Sequence, residues 1–439
     1  MASIKSKMSK NELYQPYITI NMSSALSEPV EINGSYKRLL YPKIGIYNGP
    51  GASHSWLWFV EILDAMGFWD IDFVDDHYIK NGGLNNLHVL LVSGGDTFAI
   101  AESLGKEGAE KIKGFLDEGG LYIGSCAGAY LPLNSSLPPL NLFNLASVKI
   151  SNLTSILPES VAMPEKFCTP YGCSYIFHPV REEVKITLFD FPSLKKNDDV
   201  VAPLYGGPSF LPSEDVKTLA RYTGFTNHTL FLTDQQLAHD TLIGNSAVVS
   251  KRISKGHIFL LGPHLEHPYY LKANTLIADM IYQGIYEQES TRVLPNPLHK
   301  TINKKLHNLW RGIKSEVSNA RIVAQSLERN TLTWQIGHKV YEPAKIRAFL
   351  EMVWSRISQM EHMSRNVEED ELLKLRVSFQ VTTQLLREIK REAAKGRDTT
   401  DKASYIITEI KNICADFFRN YFNIKLYSLT EDPRRYINL

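Results

Sequence analysis

Residues 115–131 read FLDEGGLYIGSCAGAYL (Phe115–Leu131), a helix end, a strand and a sharp turn in succession. Ala109–Asp117 has the apolar spacing of a helix and is closed by Gly119-Gly120, where glycine readily ends one. Leu121–Gly124 is short and apolar, as a buried strand is. Gly124-Ser125-Cys126-Ala127-Gly128 then predicts a tight strand-to-helix turn, because small residues leave room for a strained backbone and a close substrate. A cysteine on such a turn stands at the carboxyl edge of a sheet. The amino end of the following helix favours its thiolate. The plainer alternative is a small buried cysteine that only packs.

The chain around this stretch has the same texture. Lys43–Asn48 is a β-branched run that ends in Gly49-Pro50-Gly51, and Ala52–Met66 follows with Trp56, Phe59, Val60 and Leu63 at helical spacing. His88–Ser93 is a second buried-strand run, ending in Gly94-Gly95-Asp96. Strands alternating with helices predict crossover units and a mostly parallel sheet. Residues 140–260 carry shorter extended pieces (Val216–Tyr222, Ser246–Ile253, His257–Leu261), which predict antiparallel edge strands. Lys272–Tyr286 predicts a closing helix.

Past Gln288 the texture changes again. Residues 289–300 hold two prolines and no period, so a linker is placed there. Beyond it four runs step by three or four: Ile302–Leu327, Ile346–Met360, Leu372–Ile389 and Ile406–Tyr421. They predict an all-helical bundle over 301–439 with Pro343 in the first turn of its second helix. This bundle is expected to need little from the rest of the chain. Residues 1–38 read as a polar extension, and 39–288 as the α/β domain.

The 439 residues are 44% hydrophobic and 22% charged, which excludes a disordered or collagen-like chain. No run approaches the length of a membrane span, and no apolar leader is visible. Four cysteines, with no CxxC pair, make neither a disulfide framework nor a zinc site. No membrane contact, no metal and no cofactor are expected, and a reducing cytoplasmic setting is. Cys168 and Cys173 read as structural or incidental. The net charge of +1 hides a split: residues 1–290 hold 22 Lys+Arg against 30 Asp+Glu, net −8, and residues 291–439 hold 26 against 17, net +9. Two units of opposite sign could dock on one another, or the basic one could meet an acidic partner.

Two further features bear on chemistry. Gly262-Pro263-His264-Leu265-Glu266-His267 follows the run HIFLL, and a histidine with a carboxylate two residues later could be a base and its orienter. The alternative is a surface turn with a solvated carboxylate; a metal reading of His264 and His267 has only two local ligands. Ser93-Gly94-Gly95-Asp96 could bring backbone N–H groups to a ligand, with Gly95 and Ala127 lining an oxyanion hole, or Asp96 could simply cap a helix.

Together these stretches resemble the class I glutamine amidotransferase-like superfamily over about Pro42–His267. Within it they are most similar to the domain at the amino end of eukaryotic biotin–protein ligases. The matching segments are YNGPGAS (Tyr47–Ser53), LLVSGGD (Leu90–Asp96), FLDEGGLYIGSCAGAYL (Phe115–Leu131), YGGPSF (Tyr205–Phe210), LARYTG (Leu219–Gly224) and KGHIFLLGPHLEH (Lys255–His267). The resemblance implies a flavodoxin-like sheet and a triad: Cys126 nucleophile, His264 general base, Glu266 its orienter, with backbone amides of Gly95 and Ala127 on the oxyanion. His54, Tyr205 and Gly206 are candidate pocket residues. The chain departs from glutamine-hydrolysing members in following the cysteine with Ala127-Gly128-Ala129-Tyr130, and it has no ligase motif of its own. The expected function is cysteine-dependent hydrolysis or amidotransferase-like chemistry on an amide or related acyl bond of a small-molecule or peptide-like substrate. The alternative is a catalytically silent domain that binds a metabolite or protein partner, with the bundle as a docking or self-association module. No nucleic-acid partner is expected, because the basic bundle lacks interleaved aromatics.

Overall fold

The computed structural model describes residues 30–32, 35–37, 42–151, 179–189, 191, 194–285, 304–330, 332–337, 339–363 and 367–431. The predicted linker and Cys168 and Cys173 lie outside them. In chain order the elements are β1 (Val30–Ile32), β2 (Ser35–Lys37), β3 (Ile44–Tyr47), α1 (Trp56–Met66), β4 (Ile71–Val74), α2 (Asp76–Lys80), β5 (Val89–Val92), α3 (Thr97–Asp117), β6 (Leu121–Ser125) and α4 (Ala127–Tyr130). Then come β7 (Val148–Ser151), β8 (Val180–Leu188), β9 (Asp199–Leu204), β10 (Ser209–Pro212), β11 (Lys217–Phe231), α5 (Gln235–Leu242), β12 (Ser246–Ile253), β13 (Gly256–Leu261) and α6 (Leu271–Ile285). The last third holds α7 (Lys304–Glu328), β14 (Trp334–Ile336), β15 (Lys339–Tyr341), α8 (Pro343–Met363), α9 (Glu369–Ala393) and α10 (Thr400–Glu431).

The main sheet runs β4-β3-β5-β6-β13-β12-β11-β8-β9, with β10 joining β12 to β7. Its first five strands are parallel and the rest antiparallel. The parallel half has the 2-1-3-4-5 order of a flavodoxin-like sheet, whose order reverses between β3 and β5. Parallel strands are covered on both faces, so they read as unbroken apolar runs, and β3 and β5 are buried at every residue. Each buried Leu, Ile or Phe in such a layer contributes about 1.5–3 kcal/mol.

Some boundaries differ from expectation. Residues 52–55 are loop, and α1 starts at Trp56. Helix α3 starts twelve residues ahead of Ala109, capped by Asp96, and breaks at Gly105, which sits at φ 58°. That left-handed break interrupts the apolar register and hides the first half of the helix from a period count. Within 1–38, β1 and β2 form a short antiparallel pair rather than a featureless extension.

All four expected C-terminal helices form, with Pro343 opening α8. The expectation that everything beyond residue 300 is helical fails at the hairpin β14–β15, which turns at Gly337. Three-residue strands are too short for periodicity to register them. The helices also do not stand apart. Trp56 of α1 packs its ring 5.7 Å from Phe349 and 6.2 Å from Phe418, and Phe73 lies 6.1 Å from Phe418. Arg356 bonds Glu61 at 2.7 Å and Asp64 at 3.1 Å, and Lys425 and Tyr421 also reach Asp64. Arg419 pairs with Asp72. Glu61 and Asp64, one helical turn apart on α1, present the negative face that these cations cover.

Candidate active site

Register puts three strand ends side by side. Val92 of β5 pairs with Gly124 of β6, and Ser125 of β6 pairs with Leu261 of β13. The next residues of each strand therefore converge: Ser93-Gly94-Gly95, Cys126, and Gly262-Pro263-His264. This is the crevice beyond the carboxyl ends of a parallel sheet, where such folds bind ligands.

Cys126 sits at φ 51°, ψ −108°, a conformation costly for any residue with a side chain. The glycines on either side make it possible. A Cβ on Gly124 would come 2.2 Å from the Gly128 carbonyl oxygen, and one on Gly128 would come 2.0 Å from that of Val92. The elbow is held by Cys126 N–H donating to Leu261 O at 3.1 Å and Gly128 N–H to Ser93 O at 3.2 Å. Among the described residues, the N–H groups of Gly95 and Ala127 have no acceptor.

The His264 ring and Cys126 flank Gly94, where an added Cβ would lie 2.9 Å from the imidazole and 3.5 Å from Cys126 Cβ. The imidazole Nδ1 lies 2.7 Å from Glu266 Oε1 and 3.2 Å from Ser125 Oγ. All of this is buried: Cys126 is 9% exposed, His264 2% and Glu266 0%. Burial alone would raise the thiol's pKa, but the neighbouring His264 outweighs it and the net shift is downward. Burial would lower the imidazole, yet Glu266 and Cys126 raise it to about 10. Each group, when charged, favours the charged form of the other.

Residues 43–135 match the family described as biotin-protein ligase, N terminal. This part of the chain is biotin–protein ligase N-terminal-like. The match runs from β3 through the elbow, so Cys126 and Gly95 fall inside it and His264 and Glu266 outside. No curated protein matches the sequence. Solved structures that align include a β-galactosidase from Bacillus circulans sp. alkalophilus, at 14% identity over 59% of this chain and 32% of that one, with a TM-score of 0.32. A cytoplasmic protein from Salmonella typhimurium LT2 aligns at 12% identity over 55% of this chain and 98% of that one, also at 0.32. This chain thus spans about a third of the β-galactosidase's length. Likenesses this distant leave the activity to the geometry of the site.

The expected pocket residues gather around the biotin–protein ligase-like elbow. The Tyr205 carbonyl oxygen is 3.9 Å from Cys126 Sγ, and its ring centroid is 5.7 Å from that of His264. Gly206 O accepts a hydrogen bond from Tyr130 at 3.2 Å, holding that loop against α4. His54 is half-buried and stands edge-on to Trp58 at 5.6 Å; burial and then the charge of Lys345 lower its pKa to about 3, so it is neutral. Asp96 does cap α3, accepting from Phe98 and Ala99 N–H.

Several groups went unread in the sequence. Ser125 shares Nδ1 of His264. Trp58 sets its ring edge-on 5.0 Å from His264 and 4.6 Å from His267; its position four residues after His54, in the first turn of α1, was the available signal. His267, read in the sequence only as a weak metal-ligand candidate, is packed among aromatic rings, and burial lowers it to about 4. Lys339, from the unexpected hairpin, lies close enough to lower the Cys126 pKa. No group of three or more His, Cys, Asp or Glu that could hold a metal ion occurs among the described residues. None of their helices is long and apolar enough to cross a membrane.

Proposed function

We propose that the chain is a cysteine-dependent hydrolase or acyl-transfer enzyme of the glutamine amidotransferase-like type, acting on an amide or related acyl bond. The observation that carries this is Cys126 on a strained elbow beside the buried His264–Glu266 pair. Strain of that kind persists only where surrounding structure holds it, and it exposes a nucleophile. The Cys126 thiolate attacks the acyl carbon, and the carbonyl electrons move onto oxygen. Gly95 and Ala127 N–H groups donate to that oxyanion. As the C–N bond breaks, the His264 imidazolium passes its proton to the leaving amine, and a thioester remains. Water then attacks while His264 takes its proton, releasing the acid and restoring the thiolate. Glu266 keeps the imidazole oriented through both steps.

A second reading, a silent binding domain, draws support from how little of Cys126 is open, with the Tyr205 carbonyl laid over the sulfur. One experiment separates the two. Iodoacetamide at neutral pH should alkylate Cys126 at least about tenfold faster than it alkylates free cysteine, given the lowered thiol pKa. Peptide mapping of wild type and Cys126→Ala locates the label. Alkylation of Cys126 no faster than that of Cys414 would favour the silent domain.

A further inference from the structure

Helix α10 sends one buried cation into the loop that lies beside the elbow. Lys411 Nζ donates to Gly49 O at 3.2 Å and Ala52 O at 3.4 Å, and the residue is 7% exposed. Residues 49–52 are in turn bound to the glycine turn after β5. Asp96 N–H donates to Gly51 O at 2.8 Å, Ser53 N–H donates to Gly94 O at 3.0 Å, and Ala52 bridges Gly95. The two loops are pressed together so closely that a Cβ on Gly95 would lie 2.1 Å from Gly51 O. A Cβ on Gly94 would lie 2.9 Å from the His264 ring and 3.5 Å from Cys126 Cβ. From the other side, the hairpin turn at Gly337 comes down on the Asp96 carboxylate, where a Cβ would meet Oδ2 at 3.2 Å.

An ammonium is expensive to bury unless it finds acceptors. This one spends its hydrogen bonds on two carbonyls of a single loop, 362 and 359 residues away in sequence. We propose that Lys411 is a positioning residue for acyl transfer at Cys126: it fixes the 49–52 loop, and through that loop the Gly95 amide that receives the oxyanion. The C-terminal helices are then part of the active site rather than an appended module. The inference rests on the reading of Cys126 as a nucleophile.

Two reagents divide the question, because alkylation needs only the thiolate whereas acylation also needs the oxyanion donors. In the full chain, the test compares iodoacetamide alkylation of Cys126 with its acylation by p-nitrophenyl acetate. In the second reaction the thiolate attacks the ester carbon and p-nitrophenolate leaves. Lys411→Met keeps the side-chain length without the charge. It should slow acylation about 100-fold, the usual cost of a misplaced donor, while alkylation stays within about twofold of wild type. Arg419→Met removes a different contact of the same helix and should leave both rates unchanged. Equal acylation by wild type and Lys411→Met overturns the proposal. So does a parallel fall in both reactions, or an equal loss in Arg419→Met, since either would mark general loosening. A wild-type Cys126 that neither reagent modifies faster than a free thiol removes the nucleophile reading itself, and this inference with it.

Discussion

At the scale of single residues, the proposed chemistry depends on how Cys126 and His264 divide a proton. Cys126 is shifted down and His264 up to about 10, which favours an ion pair between them. Because the folded-state pKa of His264 lies above its ordinary 6.5, the stabilisation it contributes is complete below about 6.5 and is lost as pH rises through about 10. Glu266→Gln removes the carboxylate that raises the imidazole. The imidazole should lose its proton nearer neutrality, whereas the thiol loses both that cation's help and the carboxylate's repulsion and should shift less. A pH series of iodoacetamide rates on the two proteins reads the thiol, and an NMR titration of His264 reads the imidazole; superimposable profiles in both would mean that Glu266 does not tune the pair. The elbow and its histidine were legible because glycines around a cysteine, and a histidine two residues from a carboxylate, are local patterns. Ser125 and Trp58 were not, since their roles come from register and helix direction.

At the scale of elements, the long parallel runs and the four amphipathic helices could be read from their periods, whereas α3 and the hairpin β14–β15 could not. A left-handed glycine splits α3 into halves too short to declare themselves, and strands of three residues give no repeat. The seam between α1 and α8 was invisible for another reason: Arg356, Glu61 and Asp64 look like ordinary solvated charges until the two helices meet. Arg356 is buried against both carboxylates. Arg356→Met should therefore cost about 1.5–3 kcal/mol, because it removes the buried cation's bonds to two carboxylates while Asp64 keeps Lys425 and Tyr421. Urea denaturation measures it; a change under about 1 kcal/mol would mean that Lys425 and Tyr421 carry Asp64 without help.

At the scale of the whole molecule, the charge asymmetry finds a use inside the protein. Arg356, Lys411, Arg419 and Lys425 all turn toward the acidic unit, onto carboxylates or carbonyls. Full-length protein should then show no tight, salt-sensitive binding of a fluorescent oligonucleotide, where a polyanion site would lose affinity steeply with salt. Such binding at low salt that collapses at moderate salt would reassign the basic surface. Opposite net charges could be counted in the sequence, but which faces meet could not, because docking depends on where Trp56, Phe349 and Phe418 fall in space.

The register that seats Ser125 beside Leu261 also sets a timetable for the newborn chain. The proposed nucleophile is made at residue 126, its proposed base 138 residues later, and the lysine that bonds the neighbouring loop 285 residues later. At synthesis rates of roughly 5–20 residues per second, about 15–60 s separate the first from the last. On the proposed reading, the cysteine lacks its imidazole until residue 264 has emerged. Acyl transfer, unlike thiolate formation, waits longer still, until the helix carrying Lys411 has folded back onto the 49–52 loop.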